Sequence, residues 1–222
     1  FKSCCGKMIC NGCLYSMVMA EGKNQEERNM CPFCRTPEAL GRENDGENLR
    51  RVKALMEKGN AVAHAQLAGY YYIGDTVPID VVKANELWLK AGQLGCTVGY
   101  LNLANSYQDG VGVRMDKKKA IHFYELAAMG GNTIARYFLG CCEGRAGNHQ
   151  RAYKHMIIAA AGGDKDSLEK VKQGFAKGFV TKDEYENALR TYQERTDETK
   201  NETRDKAVFA NEAGRAITGN LR

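Results

Sequence analysis

The sequence predicts a mainly α chain: an α-solenoid of stacked helix pairs, preceded by a small cysteine-rich metal-binding finger. Three observations carry that prediction. From about residue 60 the chain repeats itself at a spacing of 36 residues. Within each copy, apolar residues recur at three and four positions and glycines stand where the runs stop. Ahead of the repeats, six of the nine cysteines lie before residue 35.

Those six cysteines come first in the chain. Cys10-Asn-Gly-Cys13 and Cys31-Pro-Phe-Cys34 are two C-x2-C pairs, and Cys4 and Cys5 precede them. This spacing lets a tight turn aim two thiolates at one ion, at ~2.3 Å for zinc, with Gly12 and Pro32 helping to set the turns. A redox C-x-x-C is disfavoured because no βαβ pattern surrounds either pair. Zinc is therefore the expected cofactor, and metal-bound thiolates fit a reducing compartment, the cytoplasm or the nucleus.

The stretch "CCGKMICNGC…MCPFCRTP" resembles the latter part of a RING finger, over about residues 3 to 37. Two departures stand out. Lys7 occupies the place of the family's usual histidine, which makes this an all-cysteine variant. The opening C-x2-C pair is not in the chain and is expected upstream of Phe1; an organelle-targeting segment there is left open. RING fingers wind their ligands in a cross-brace. The resemblance therefore implies that Cys4, Cys5, Cys31 and Cys34 close one zinc site and that Cys10 and Cys13 supply half of another, Cys4 being the weakest assignment. It also implies a partner, a ubiquitin-conjugating enzyme docked on a shallow surface that includes Ile9 and Pro32. Arg35, directly after the last cysteine, matches a basic linchpin position, where a planar guanidinium can satisfy several carbonyls at once. Such a finger contributes no nucleophile.

The repeats follow. Leu67 and Leu103, Ala68 and Ala104, Tyr71 and Tyr107, Gly74 and Gly110, Asp80 and Asp116, Ala84 and Ala120, and Ala91 and Ala127 all stand 36 residues apart. A third copy shortens its loop by four residues and keeps Leu139, Gly140, Ala152, Ala159 and Gly163. A weaker fourth runs through "SLEKVKQGFAKGFVTKDEYENALRTY", where Thr181 and Glu184 form a capping-box pattern. Each copy reads as two helices. One pair cannot bury its apolar stripe alone, whereas stacked neighbours can. The segment "ENLRRVKALMEKG" reads as a further helix that caps the stack, stopped by Gly59.

This pattern resembles the Sel-one-like repeat, a relative of the tetratricopeptide repeat, over about residues 60 to 195. Joined to an all-cysteine RING, it resembles the RING–repeat proteins of diatoms and related algae. Solenoids of this kind bind peptides or proteins on the face lined by the first helix of each unit. By repeat position Tyr72, Asn105, Gln108 and Tyr137 are expected on that face. Trp88, Tyr71, Tyr107 and Phe123 read as core, and Cys96, Cys141 and Cys142 as buried thiols inside helices.

The expected organisation is a partial RING-type finger over 1–38, a linker over 39–48, the solenoid over 49–195, and a charged helical extension and disordered tail over 196–222. The formal net charge of +5, from 32 Lys+Arg against 27 Asp+Glu, is spread along the chain rather than concentrated as nucleic-acid binding would need. No apolar run approaches the ~20 residues of a membrane span, and no nucleophile–base constellation or phosphate loop is visible. The function that follows is protein binding, in a RING-type ubiquitin ligase whose solenoid holds substrate or adaptor. The alternative is a non-catalytic scaffold with a structural zinc finger.

Overall fold

The computed structural model describes residues 45–74 and 76–199, which form helices joined by turns, with no strand among them. The chain divides into two compact units. Helix α1 (Asp45–Glu57) falls in one. It is braced by Glu47, which accepts from Arg51 Nε at 2.7 Å one turn on and also pairs with Arg50.

The other unit, Gly59–Glu198, holds the repeats. Six helices of 13 residues each follow one another: α2 (Ala61–Ile73), α3 (Val81–Gln93), α4 (Thr97–Asp109), α5 (Lys117–Met129), α6 (Thr133–Arg145) and α7 (His149–Ala161). Then come α8 (Lys165–Ala176) and α9 (Lys182–Thr199). From α2 to α8 each helix packs on the next in the chain, the arrangement of a helix-pair solenoid.

Local chemistry sets every boundary. Between units the chain turns through Gly95, Gly131 or Gly163 at φ of +93°, +88° and +92°. The next residue's N–H then reaches back five residues, Cys96 to Ala91, Asn132 to Ala127 and Asp164 to Ala159, at 2.9, 3.1 and 3.1 Å. That is a Schellman closure, which only a left-handed residue permits. The residue after the glycine caps the following helix. Asn60, Asn132 and Asp164 each accept from the N–H three residues on, at 2.9, 2.9 and 2.7 Å. Cys96 occupies the same place before α4 and makes no side-chain cap bond. The expected capping box is present: Thr181 N donates to Glu184 Oε2 at 2.9 Å and Glu184 N to Thr181 Oγ1 at 3.3 Å.

Packing rests on small side chains at fixed repeat positions. The third residue of each first helix is Ala63, Gly99, Ala135 or Ser167, all buried. The facing second helices contribute Ala84, Ala91, Ala120, Ala127 and Ala159, at most 2% exposed. A Cβ at Gly99 would run into the Trp88 carbonyl oxygen and come to 2.8 Å of Gly92 N, so α3 and α4 approach there nearly backbone to backbone. The loop of the second unit is stitched onto the first. Buried Asn85 of α3 donates to Val111 O at 2.8 Å, and a side chain at Gly112 (φ +68°) would collide with Asn85 and Val81.

The third unit departs from the first two in one patch. In the second unit Phe123 stacks on Tyr100 and Tyr107, at 6.0 and 5.5 Å between ring centroids. The same three repeat positions hold His155, Arg136 and Glu143 in the third. Lys83 and Lys119 sit over the rings of Tyr71 and Tyr107, at 4.4 and 5.2 Å. Their counterpart Arg151 instead pairs with Glu143 at 2.8 Å. An aromatic cluster has thus become a charged one.

The three cysteines of the repeats differ from expectation. Cys96 is a helix cap rather than a residue inside a helix, and Cys96, Cys141 and Cys142 are all half-buried. Cys96 sits at a unit junction, and Cys141 packs at the edge of the core formed by Met156, Val171, Val180 and Ala188.

Two outcomes follow. Cys96→Asn gives α4 the cap that its sister helices have and is expected to raise unfolding free energy by about 1 kcal/mol in urea; an unchanged midpoint would contradict the cap assignment. Burial first, and then Arg136, hold the His155 imidazole below its ordinary value, with Arg151 adding and Glu143 and Glu125 opposing. The native state then binds fewer protons than the unfolded chain from about pH 6.5 downward, and stability falls as the pH drops toward the depressed value. His155→Leu, the residue type at position 87, should lessen the fall in melting temperature between about pH 7 and 5. Identical pH profiles for the two proteins would count against it.

Candidate functional site

The first helices α2, α4, α6 and α8 leave cavities along one face. A cavity of about 380 Å³ lies between α2 and α4, lined by Gly69, Tyr72 and Ile73 of α2, by Asn102, Asn105, Ser106 and Asp109 of α4, by Val111, and by Trp88 of α3. A second, of about 610 Å³, is lined by Tyr137, Cys141, Gly144 and Arg145 of α6, Lys170 of α8, and His149 and Met156 of α7, among others. The two are equivalent places two units apart. Gly69 matches Cys141, Tyr72 matches Gly144, Ile73 matches Arg145, Asn102 matches Lys170 and Trp88 matches Met156. A groove therefore runs along the first helices, and second-helix residues form its floor.

The four groove residues expected from the sequence fall into these cavities in pairs. Tyr72 and Asn105 line the first; Gln108 and Tyr137 line the second. Tyr72 is 44% exposed and its ring lies 5.3 Å from that of Trp88, which is buried. Asn105 and Gln108 are tied from below. The fully buried Tyr124 hydroxyl contacts Asn105 Oδ1 at 2.6 Å and Gln108 Oε1 at 3.3 Å. Burial, with Cys142 and Asp109 nearby, pushes that hydroxyl well above the ordinary tyrosine range, so it stays a donor. The two carboxamides are thus oriented by the floor, with their N–H2 groups left for another partner.

Trp88 is core, as expected, and Tyr71, Tyr107 and Phe123 pack half-buried around it. Tyr124 escaped the sequence reading. Its signal was its repeat position, shared with Trp88 and Met156, but its bond to α4 requires the geometry of a helix pair.

Burial raises the Cys142 thiol, against the opposing pull of Arg145, which is the reverse of nucleophile activation. Cys141, then burial, raise the Tyr137 hydroxyl. Among the described residues no cluster of His, Cys, Asp or Glu is suited to a metal, and no helix is long and apolar enough to cross a membrane.

The Sel1 repeat model matches residues 61–96, 97–132 and 133–164, each match starting at the first residue of a helix pair, α2–α3, α4–α5 or α6–α7, and running through the turn that follows it. Residues 61–164 are thus similar to three Sel1 repeats in tandem. The match stops before α8 and α9, which continue the stack through a core of Met156, Val171, Val180 and Ala188. Two solved structures share the fold. A Sel1 repeat protein from Oxalobacter formigenes is 22% identical with a TM-score of 0.59, over 68% of this chain and 64% of that one. A protective antigen of uropathogenic Escherichia coli strains, displaying an SLR fold, is 18% identical with a TM-score of 0.57, over 85% of this chain and 37% of the other. The chain therefore spans under two thirds of either relative's length.

The residues expected in the finger, namely Cys4, Cys5, Ile9, Cys10, Cys13, Cys31, Pro32, Cys34 and Arg35, lie outside the described residues.

Proposed function

We propose that this chain is a protein-binding module whose Sel1 repeats hold another polypeptide along the first-helix groove. The observation that carries this is the recurrence of equivalent cavities two units apart, with Asn105 and Gln108 oriented by Tyr124 between them. Two carboxamides held side by side on one turn of α4 suit the donors and acceptors of an extended backbone. A library of random ten-residue peptides panned on the full chain should yield binders that weaken on the order of tenfold with Tyr72→Ala or Tyr137→Ala. Recovering no binder, or only binders indifferent to both changes, would overturn the reading.

A finer reading rests on the resemblance of "CCGKMICNGC…MCPFCRTP" to a RING finger. Cys4, Cys5, Cys10, Cys13, Cys31 and Cys34 hold zinc in a RING-type finger, and the protein is a ubiquitin ligase. The finger recruits a ubiquitin-conjugating enzyme through Ile9 and Pro32, Arg35 bridges enzyme and ubiquitin, and the groove presents substrate or adaptor. Metal counting on the natural protein should find two zinc ions per chain. Discharge of ubiquitin from the charged conjugating enzyme should speed up with the protein present and slow with Arg35→Ala. Zinc binding with no stimulation would leave the non-catalytic scaffold instead.

A further inference from the structure

The two groove cavities, equivalent in the repeat, carry opposite charge. The first has a carboxylate and no cation in its lining: Asp109 is exposed, beside the Tyr72 and Trp88 rings, where α2 and α4 end. Both helices finish in a left-handed glycine, Gly74 or Gly110, so their final carbonyls, the negative ends of the dipoles, gather at this cavity. A carboxylate, an aromatic face and helix C-termini together suit a cationic side chain.

The second cavity has cations and no carboxylate in its lining. Arg145 stands where the chain has Ile73 and Asp109 in the earlier units, and Lys170 stands where it has Asn102. The shortened loop, three residues between α6 and α7 against seven between α4 and α5, brings His149, the first residue of α7, into the same cavity. Acids stand near this cavity without lining it: Asp166 and Asp164 both lie close enough to act on Tyr137. Glu143 is taken by Arg151 and Asn148, and Asp164 caps Ser167. Arg145 reaches Cys141 O at 3.3 Å and Cys142 Sγ at 3.8 Å, and no carboxylate is bonded to it.

We propose that the groove selects an extended polypeptide segment with a Lys or Arg for the Tyr72–Asp109 cavity and an Asp or Glu for the Arg145–Lys170 cavity. This rests on the groove reading above and adds the chemistry and order of its ligand. Neighbouring packed helices lie ~8–10 Å apart, so two units span about 20 Å. An extended chain rising ~3.3 Å per residue covers that in about six residues. Asp109 and Arg145 stand at the same position of adjacent units and Lys170 one unit further on, so the two charges of the ligand are about three to six residues apart, in one fixed order.

Capped peptides from the same panning, acetylated and amidated so that only side chains are charged, provide the test. Enrichment of a basic and an acidic position about three to six residues apart, always in the same order, is expected. Asp109→Asn should weaken those peptides on the order of tenfold, and should have little effect on versions whose basic residue is replaced by norleucine. Asp109→Lys should be rescued by peptides with a glutamate at that position, and Arg145→Gln with Lys170→Gln should act only through the acidic position. Binders that need Tyr72 and Tyr137 but show no charge preference, and tolerate Asp109→Asn, would overturn the charge proposal and leave the groove standing. Absence of any groove-dependent binder would overturn both.

Discussion

The structure depends on how closely its helices can approach. Helices thirteen residues long have too little apolar surface to stand alone, so they must touch along their length. That contact is set by Ala63, Gly99, Ala135 and Ser167 in the first helices and by the alanines facing them. Where the side chain is smallest, at Gly99, α4 meets the Trp88 carbonyl itself. Large residues such as Trp88, Tyr124 and Met156 are then left to fill one side of each pair. The same geometry that buries the alanines lines up the first helices and makes their outer face a groove.

The function proposed follows from differences between units rather than from what they share. Caps, glycine turns and the small-residue seam recur and hold the register. The positions that face the groove vary from unit to unit: Gly69, Asn105 and Cys141; Tyr72, Gln108 and Gly144; Ile73, Asp109 and Arg145. A scaffold built this way can change its ligand without changing its core, since each unit touches only its neighbours.

Much of this was legible in the residues. The 36-residue spacing located the helix pairs, the glycines marked their ends, and Thr181 with Glu184 announced the start of α9. The four-residue shortening was visible too, but its consequence was not, because only the folded turn shows His149 swinging into the cavity between α6 and α8. Tyr72, Asn105, Gln108 and Tyr137 could be placed by repeat position. The bond that orients two of them comes from Tyr124, a residue of the second helix, and joins positions with no sequence relation. Cys96 was misread as a helix interior because its neighbours are apolar. Its cap position becomes clear only beside Asn60, Asn132 and Asp164.

The seam can be tested with two alanines. Gly69 lies in the interior of α2, where alanine favours the helix by roughly 0.5–1 kcal/mol, and Gly99 lies in the first turn of α4. A Cβ at Gly69 meets nothing within 4 Å, whereas one at Gly99 meets the backbone of α3. Thermal unfolding of the two variants should therefore move in opposite directions, Gly69→Ala upward and Gly99→Ala downward. A rise in both melting temperatures would show that α3 and α4 do not approach as described, and the account of the groove would go with it.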